Sequence, residues 1–152
     1  MIDQDLATAH HEAGHAIALR HFGIQVSKVS VNNDGTGSTE LEGSLPAREE
    51  DTVLVGLIGI QSELRFLGAD MTFSDFVSTY ESGKGDRDTI ESETRTIWLA
   101  HRGIWHQVQY DNTETFIEKK KSEIEKLASA ILRKKGYPKA LDQKEIESVM
   151  KI

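Results

Sequence analysis

The chain has 152 residues, 38% hydrophobic and 28% charged, with no cysteine and a formal net charge of -7. That length and balance belong to one globular domain able to bury its own core, so residues 1–152 are expected to form a single domain. The acidic balance sets a repulsive average field against polyanions and excludes nucleic acid as an expected partner, while the missing cysteines exclude disulfides and thiolate metal sites.

The first residues, MIDQDLATAHHEAGH, lack the basic and apolar regions of a signal peptide, and a cytoplasmic location is expected. Residues 4–22 read as a helix packed on one side, with Asp3 or Asp5 available as N-cap and Gly23 as the stop. From Ile24 the β-branched Val26, Val29 and Val31 indicate a strand, NNDGTG a turn, and STELEGSL a second, weaker strand. A helix is expected over about 48–68, apolar nearly all round and therefore central. Its most apolar stretch, TVLVGLIGI at 52–60, is too short to span a bilayer, so no membrane segment is expected.

Residues 69–86 read as a loop with a helical turn near FSDFVST, and a helix follows from about Asp88 to His106 with Ile90, Ile97, Trp98 and residues 100–104 as its buried stripe. After YDNT, residues 114–135 form a charged amphipathic helix that turns Phe116, Ile117, Ile124, Leu127, Ile131 and Leu132 to the core. Its KKK run at 119–121 and Arg133 to Lys135 sit among glutamates and read as a solvated face. GYPKALD breaks this helix, and residues 142–151 form a last short one. The expected class is mainly α (α+β), helical with a small sheet or hairpin.

Four of the six histidines fall in the first 21 residues, and His11, Glu12 and His15 spell H-E-x-x-H. At this chain's histidine and glutamate content, chance produces that pattern about 0.02 times. On a helix, residues four apart lie one turn above each other, so His11 and His15 can grip one ion. Zn²⁺ suits two imidazoles in softness and geometry, and Glu12 at the next position can act as general base on a water beside the metal. The intervening Ala13 and Gly14 are small enough for another backbone to approach the ligand helix. His10 lies about 100° around from His11 and is read as a supporting or surface residue. His21, His101 and His106 stand in no motif and read as surface histidines. A catalytic zinc needs a third protein ligand, and the carboxylates available are Glu63, Asp86 and Asp88.

HHEAGHAI resembles the zinc-ligand helix of the peptidase domain of FtsH-type ATP-dependent membrane proteases, in which HEAGHA is the distinctive form of the motif. VSKVSV resembles the strand that follows, and VGLIGIQSELRFLGA the helix carrying G-x-x-A-E-E-L-x-F-G. SGKGDRDTIESETRTIW resembles the segment whose G-x-x-N-D-L supplies an aspartate ligand, and KLASAILRKKGYPKALDQKEIESVM resembles the closing helices. The resemblance implies a zincin-like fold, His11 and His15 as zinc ligands, Glu12 as general base, and Glu63 as a partner standing behind a ligand histidine. GKGDRD departs from the family pattern, so either aspartate can match; Asp88, directly before the helical run, is favoured over Asp86 as third ligand.

The family joins this domain to an ATPase module and membrane helices. Here the GKG at 83–85 lacks the Ser or Thr and the spacing of a phosphate loop, so a stand-alone, ATP-independent zinc metallopeptidase acting on flexible or unfolded polypeptide substrates is expected. The strand from Val26 to Val31 is expected to pair with an extended substrate. The alternative is a catalytically weak or inactive metal-binding module that regulates or assembles with larger proteases. Family members form hexameric rings with help from their ATPase modules, which leaves a homo-oligomer open for this chain.

Overall fold

In the computed structural model, residues 4–44, 49–66 and 111–151 are described. They form helix α1 (Gln4–His21), strands β1 (Val26–Val31) and β2 (Gly37–Leu41), helix α2 (Glu49–Phe66), helix α3 (111–132), strand β3 (Lys139–Asp142) and helix α4 (Gln143–Met150). The architecture is mainly helical with one three-stranded antiparallel sheet in the order β2-β1-β3. The expected loop at 69–86, the expected helix from Asp88 to His106, and with them Asp86, Asp88, His101 and His106, lie outside the described residues.

α1 is not packed on one side, as its sequence suggests. Residues 12–19 are buried without interruption, a run of more than two helical turns. The small side chains at Ala7, Ala9, Ala13, Ala16 and Ala18, each at most 2% exposed, let α2 approach one face while the sheet covers another. The helix begins at Gln4, so Asp5 lies inside its first turn instead of capping it, where its carboxylate takes the hydroxyl of Tyr137. Gly23 stops the helix as expected: at φ +77° its backbone turns left-handed, Gly23 N–H bonds Arg20 O and Ile24 N–H reaches back to Leu19 O.

The three valines of β1 are spaced unevenly, and a regular strand would turn Val26 to the opposite face from Val29 and Val31. A register irregularity between Val26 and Lys28 absorbs one residue, and all three valines are buried against the helices. β2 runs only from Gly37 to Leu41, since Gly43 at φ +86° leaves the extended region before the predicted strand ends. The intervening turn is closed by Asn32 N–H donating to Thr36 O at 2.7 Å, and by Asp34 Oδ1, which accepts from both the Thr36 N–H and the Thr36 hydroxyl. Those two hydrogen bonds hold the Asp34 carboxyl below the ordinary carboxylate range.

β3 is a strand where the sequence indicates only a break. Lys139, Ala140, Leu141 and Asp142 carry no β-branched or aromatic signal, and the strand exists because the second edge of β1 accepts it, Leu141 opposite Val29. β1 therefore has a neighbour on each side, and the expectation that it pairs with a substrate is overturned. Among the described residues, β2 and β3 form the sheet edges.

α3 covers 111–132, starting before the predicted boundary and ending short of it. Phe116, Ile117, Ile124, Leu127 and Ile131 enter the same core as Ile17, Val29, Ile58, Leu141 and Ile146, with Leu132 partly buried against it. At the end of the helix Lys139, arriving from β3, places its ammonium on the carbonyls of Leu132 and Lys134, where the negative end of the helix dipole favours a cation. α4 starts at a reciprocal cap, Glu145 N–H donating to Asp142 Oδ1 and Asp142 N–H to Glu145 Oε1. Arg65 at the end of α2 ties that helix to α3 through Glu114 and Glu118, and its hydrogen bond and charge hold the Glu118 carboxyl low.

Among the described residues, no helix is long and apolar enough to cross a membrane. α2 is buried from Val55 to Ser62, in accord with its apolar sequence, and that run includes Gln61, whose two buried amide atoms have no hydrogen-bond partner among the described residues. An unmade buried hydrogen bond costs about 1–3 kcal/mol. Gln61→Leu is therefore expected to stabilise the protein by about 1 kcal/mol, read as a higher urea midpoint with an unchanged slope.

Candidate metal centre

α1 crosses α2 where both helices lack bulk. A Cβ at Gly14 would stand 2.5 Å from Ser62 Oγ and 3.0 Å from the carbonyl of Ile58, so only glycine allows this approach. Ser62 donates its hydroxyl to that same carbonyl at 2.6 Å, so the oxygen that fills the space beside Gly14 is satisfied within α2. Opposite, a Cβ at Gly59 would lie 2.2–2.5 Å from three atoms of the His15 ring.

The consequence is specific. In an α-helix the carbonyl of Val55 points along the axis toward Gly59, and with no side chain at Gly59 the His15 imidazole rests on the backbone and reaches that carbonyl, Nδ1 to O 2.9 Å. A carbonyl only accepts, so His15 Nδ1 carries a proton and the lone pair of the neutral ring is on Nε2. His11 is oriented in the same sense by a different group, its Nδ1 lying 3.1 Å from Glu63 Oε2. Glu63 thus stands behind His11, the place that the resemblance implies for it.

The two Nε2 atoms then face each other 3.1 Å apart. Two lone pairs at that distance repel unless a proton or a cation lies between them. A tetrahedral ion bound to two imidazoles at about 2.0–2.1 Å sets their nitrogens about 3.3 Å apart. The donor set fits such an ion in element type, in spacing and in the backing of each ring by a hydrogen-bond acceptor.

Glu12 completes the cluster, with ligand-type atoms of His11, Glu12 and His15 all within 4.8 Å of one another. It lies about 100° around α1 from His11, on the side facing the sheet. There it is 5% exposed and touched by β2: Thr39 Oγ1 lies 3.1 Å from its main-chain oxygen and 3.4 Å from Oε1, and a Cβ at Gly37 would meet its Cγ at 2.7 Å.

The remaining histidines of α1 stay apart from the cluster. His10 stacks on Phe66 with ring centroids 4.5 Å apart and bonds the carbonyl of Leu6, and the exposed His21 packs edge-on against Phe22 and Phe116. Sequence reading missed Gly59, Val55 and Thr39. Gly59 alone left a trace, as a glycine inside a helix too apolar to need one.

Comparison with protein-family models gives no match, and comparison with curated proteins gives none either.

Two substitutions test the supporting groups. Gly59→Ala is expected to displace His15 and weaken Co²⁺ binding at least tenfold in a spectroscopic titration, while circular dichroism stays helical. Glu63→Ala, which removes the acceptor behind His11, is expected to weaken the same binding by about 10–100-fold.

Proposed function

We propose that the chain is a zinc metallopeptidase domain of the kind its sequence resembles in FtsH-type proteases, cleaving peptide bonds of flexible or unfolded polypeptides. The observation that carries this reading is the pair of facing Nε2 atoms on His11 and His15, each ring held in the ligand tautomer, with the Glu12 carboxyl beside them. His11 and His15 would hold Zn²⁺, and Asp88 is the third ligand that the resemblance supplies.

A bound zinc ion would supply Lewis acidity, bringing the pKa of a water toward neutrality and polarising a carbonyl oxygen. Glu12 accepts a proton from the attacking water as the new C–O bond forms, and returns it to the amide nitrogen as the C–N bond breaks. Its position on the sheet side of α1 makes β2 the strand beside the reacting groups. An extended peptide added to the β2 edge would lie along Glu12, with main-chain hydrogen bonds that do not depend on substrate sequence. Residues 83–85 offer no phosphate loop, so this domain's own cleavage is independent of ATP and limited to chains already unfolded. The cytoplasm is the working location of this reading.

Purified protein stripped of metal and re-supplied with zinc is expected to retain one ion per chain by inductively coupled plasma mass spectrometry, and the double substitution His11→Ala with His15→Ala to retain none. Glu12→Gln should keep its zinc and lose cleavage of fluorescent unfolded casein by about 10²–10⁴-fold. Equal cleavage by the wild type and Glu12→Gln would remove the peptidase reading, and zinc without turnover would favour the regulatory metal-binding module.

A further inference from the structure

We propose that Thr39 is a positioning residue for Glu12, a strand hydroxyl that fixes where the base carboxylate stands. The inference rests on the peptidase reading given above. A glutamate has three side-chain torsions, and a base on so long an arm reaches a water productively in only a few of its rotamers. Helix α1 sets the Cα of Glu12 but leaves those torsions open.

Strand β2 closes them. The register places Gly37 opposite Val31 and Thr39 opposite Val29, so both lie on the sheet face that meets α1. At Gly37 the missing side chain makes a groove for the Glu12 methylenes, its Cβ position lying 2.7 Å from Cγ. Two residues along, the Thr39 hydroxyl is shared between the main-chain oxygen of Glu12 at 3.1 Å and its own carboxylate Oε1 at 3.4 Å. One donor thereby stands beside both the carboxyl group and the main-chain oxygen of the same residue, the main-chain oxygen being the nearer. Among the described residues Thr39 is the hydrogen-bond donor to this carboxylate, which is buried and needs one.

The arrangement also couples the base to the substrate strand. Thr39 belongs to the edge on which an extended peptide would pair, so the strand that registers the substrate is the strand that aims Glu12. Removing the hydroxyl leaves peptide pairing and the histidine pair in place and frees the carboxyl end. The effect should fall on kcat and spare KM and metal content.

The test compares zinc-loaded wild type, Thr39→Val, Thr39→Ala and Thr39→Ser on fluorescent unfolded casein, with zinc content measured for each and crystal structures of the wild type and Thr39→Val. The valine and alanine variants are expected to lose about tenfold in kcat, with KM within about twofold. Thr39→Ser, which restores the hydroxyl, should return kcat to within about threefold of wild type. Zinc content should match wild type throughout, and Glu12 should occupy more than one rotamer in the Thr39→Val crystal. Wild-type kcat in both hydroxyl-free variants, or a serine variant as slow as they are, overturns the proposal. If the wild type and Glu12→Gln cleave casein equally, the peptidase reading fails separately, and the Glu12 rotamer in the Thr39→Val crystal still decides what Thr39 does: a single unchanged rotamer rejects its role.

Discussion

His15 reaches a helix backbone carbonyl, a contact that a side chain of any size at Gly59 would block, and the rest of the site is arranged around that contact. It fixes the tautomer of the ring, directs Nε2 toward His11, and brings α1 and α2 close enough for Glu63 to stand behind the second imidazole. Helix crossings usually derive their distance from the bulk of interdigitating side chains. Here Gly14 and Gly59 remove that bulk, and the close approach places polar groups, the Ser62 hydroxyl among them, at the centre of the crossing.

Such a crossing would be costly if its polar atoms were left unpaired, since burial penalises every unmade hydrogen bond. The structure meets that cost with two different acceptors. Val55 contributes a main-chain oxygen to His15, the more buried of the two imidazoles, and Glu63 contributes a carboxylate to the more accessible His11. A neutral acceptor in the interior and a charged one nearer solvent is the ordering that desolvation favours. Gln61, one turn of α2 from Leu57 and buried as deeply, shows the opposite case: its amide has no partner among the described residues.

The sheet does for Glu12 what α2 does for the histidines. α1 lies between the two, with the imidazoles of His11 and His15 turned to one neighbour and the carboxylate of Glu12 to the other, so the three side chains are held from opposite sides. This explains why α1, with alanines and a glycine spread along its length, is buried without a break from Glu12 to Leu19. Alanine stabilises the helix and occupies little space, letting both neighbours come into contact with the histidines and the glutamate.

Much of this was legible in the sequence. Spacing alone put His11 and His15 on one face with Glu12 beside them, because helical periodicity is a local property; the apolar run of α2, the stop at Gly23 and the class of the fold follow from equally local patterns. What the sequence could not disclose depends on partners far along the chain. β3 has no strand signal of its own and forms because β1 offers it an edge, the same fact that withdraws β1 from substrate pairing. Gly59 and Val55 carry no chemical label, and Thr39 is one threonine among several in this chain. They matter only because tertiary packing brings a helix backbone and a strand hydroxyl to the histidines and the glutamate. The kinds of side chain that meet on α1 were written in residue types, whereas the tautomer of each ring and the surroundings of the Glu12 carboxyl were decided by what the folded chain placed next to them, because those partners lie far along the sequence.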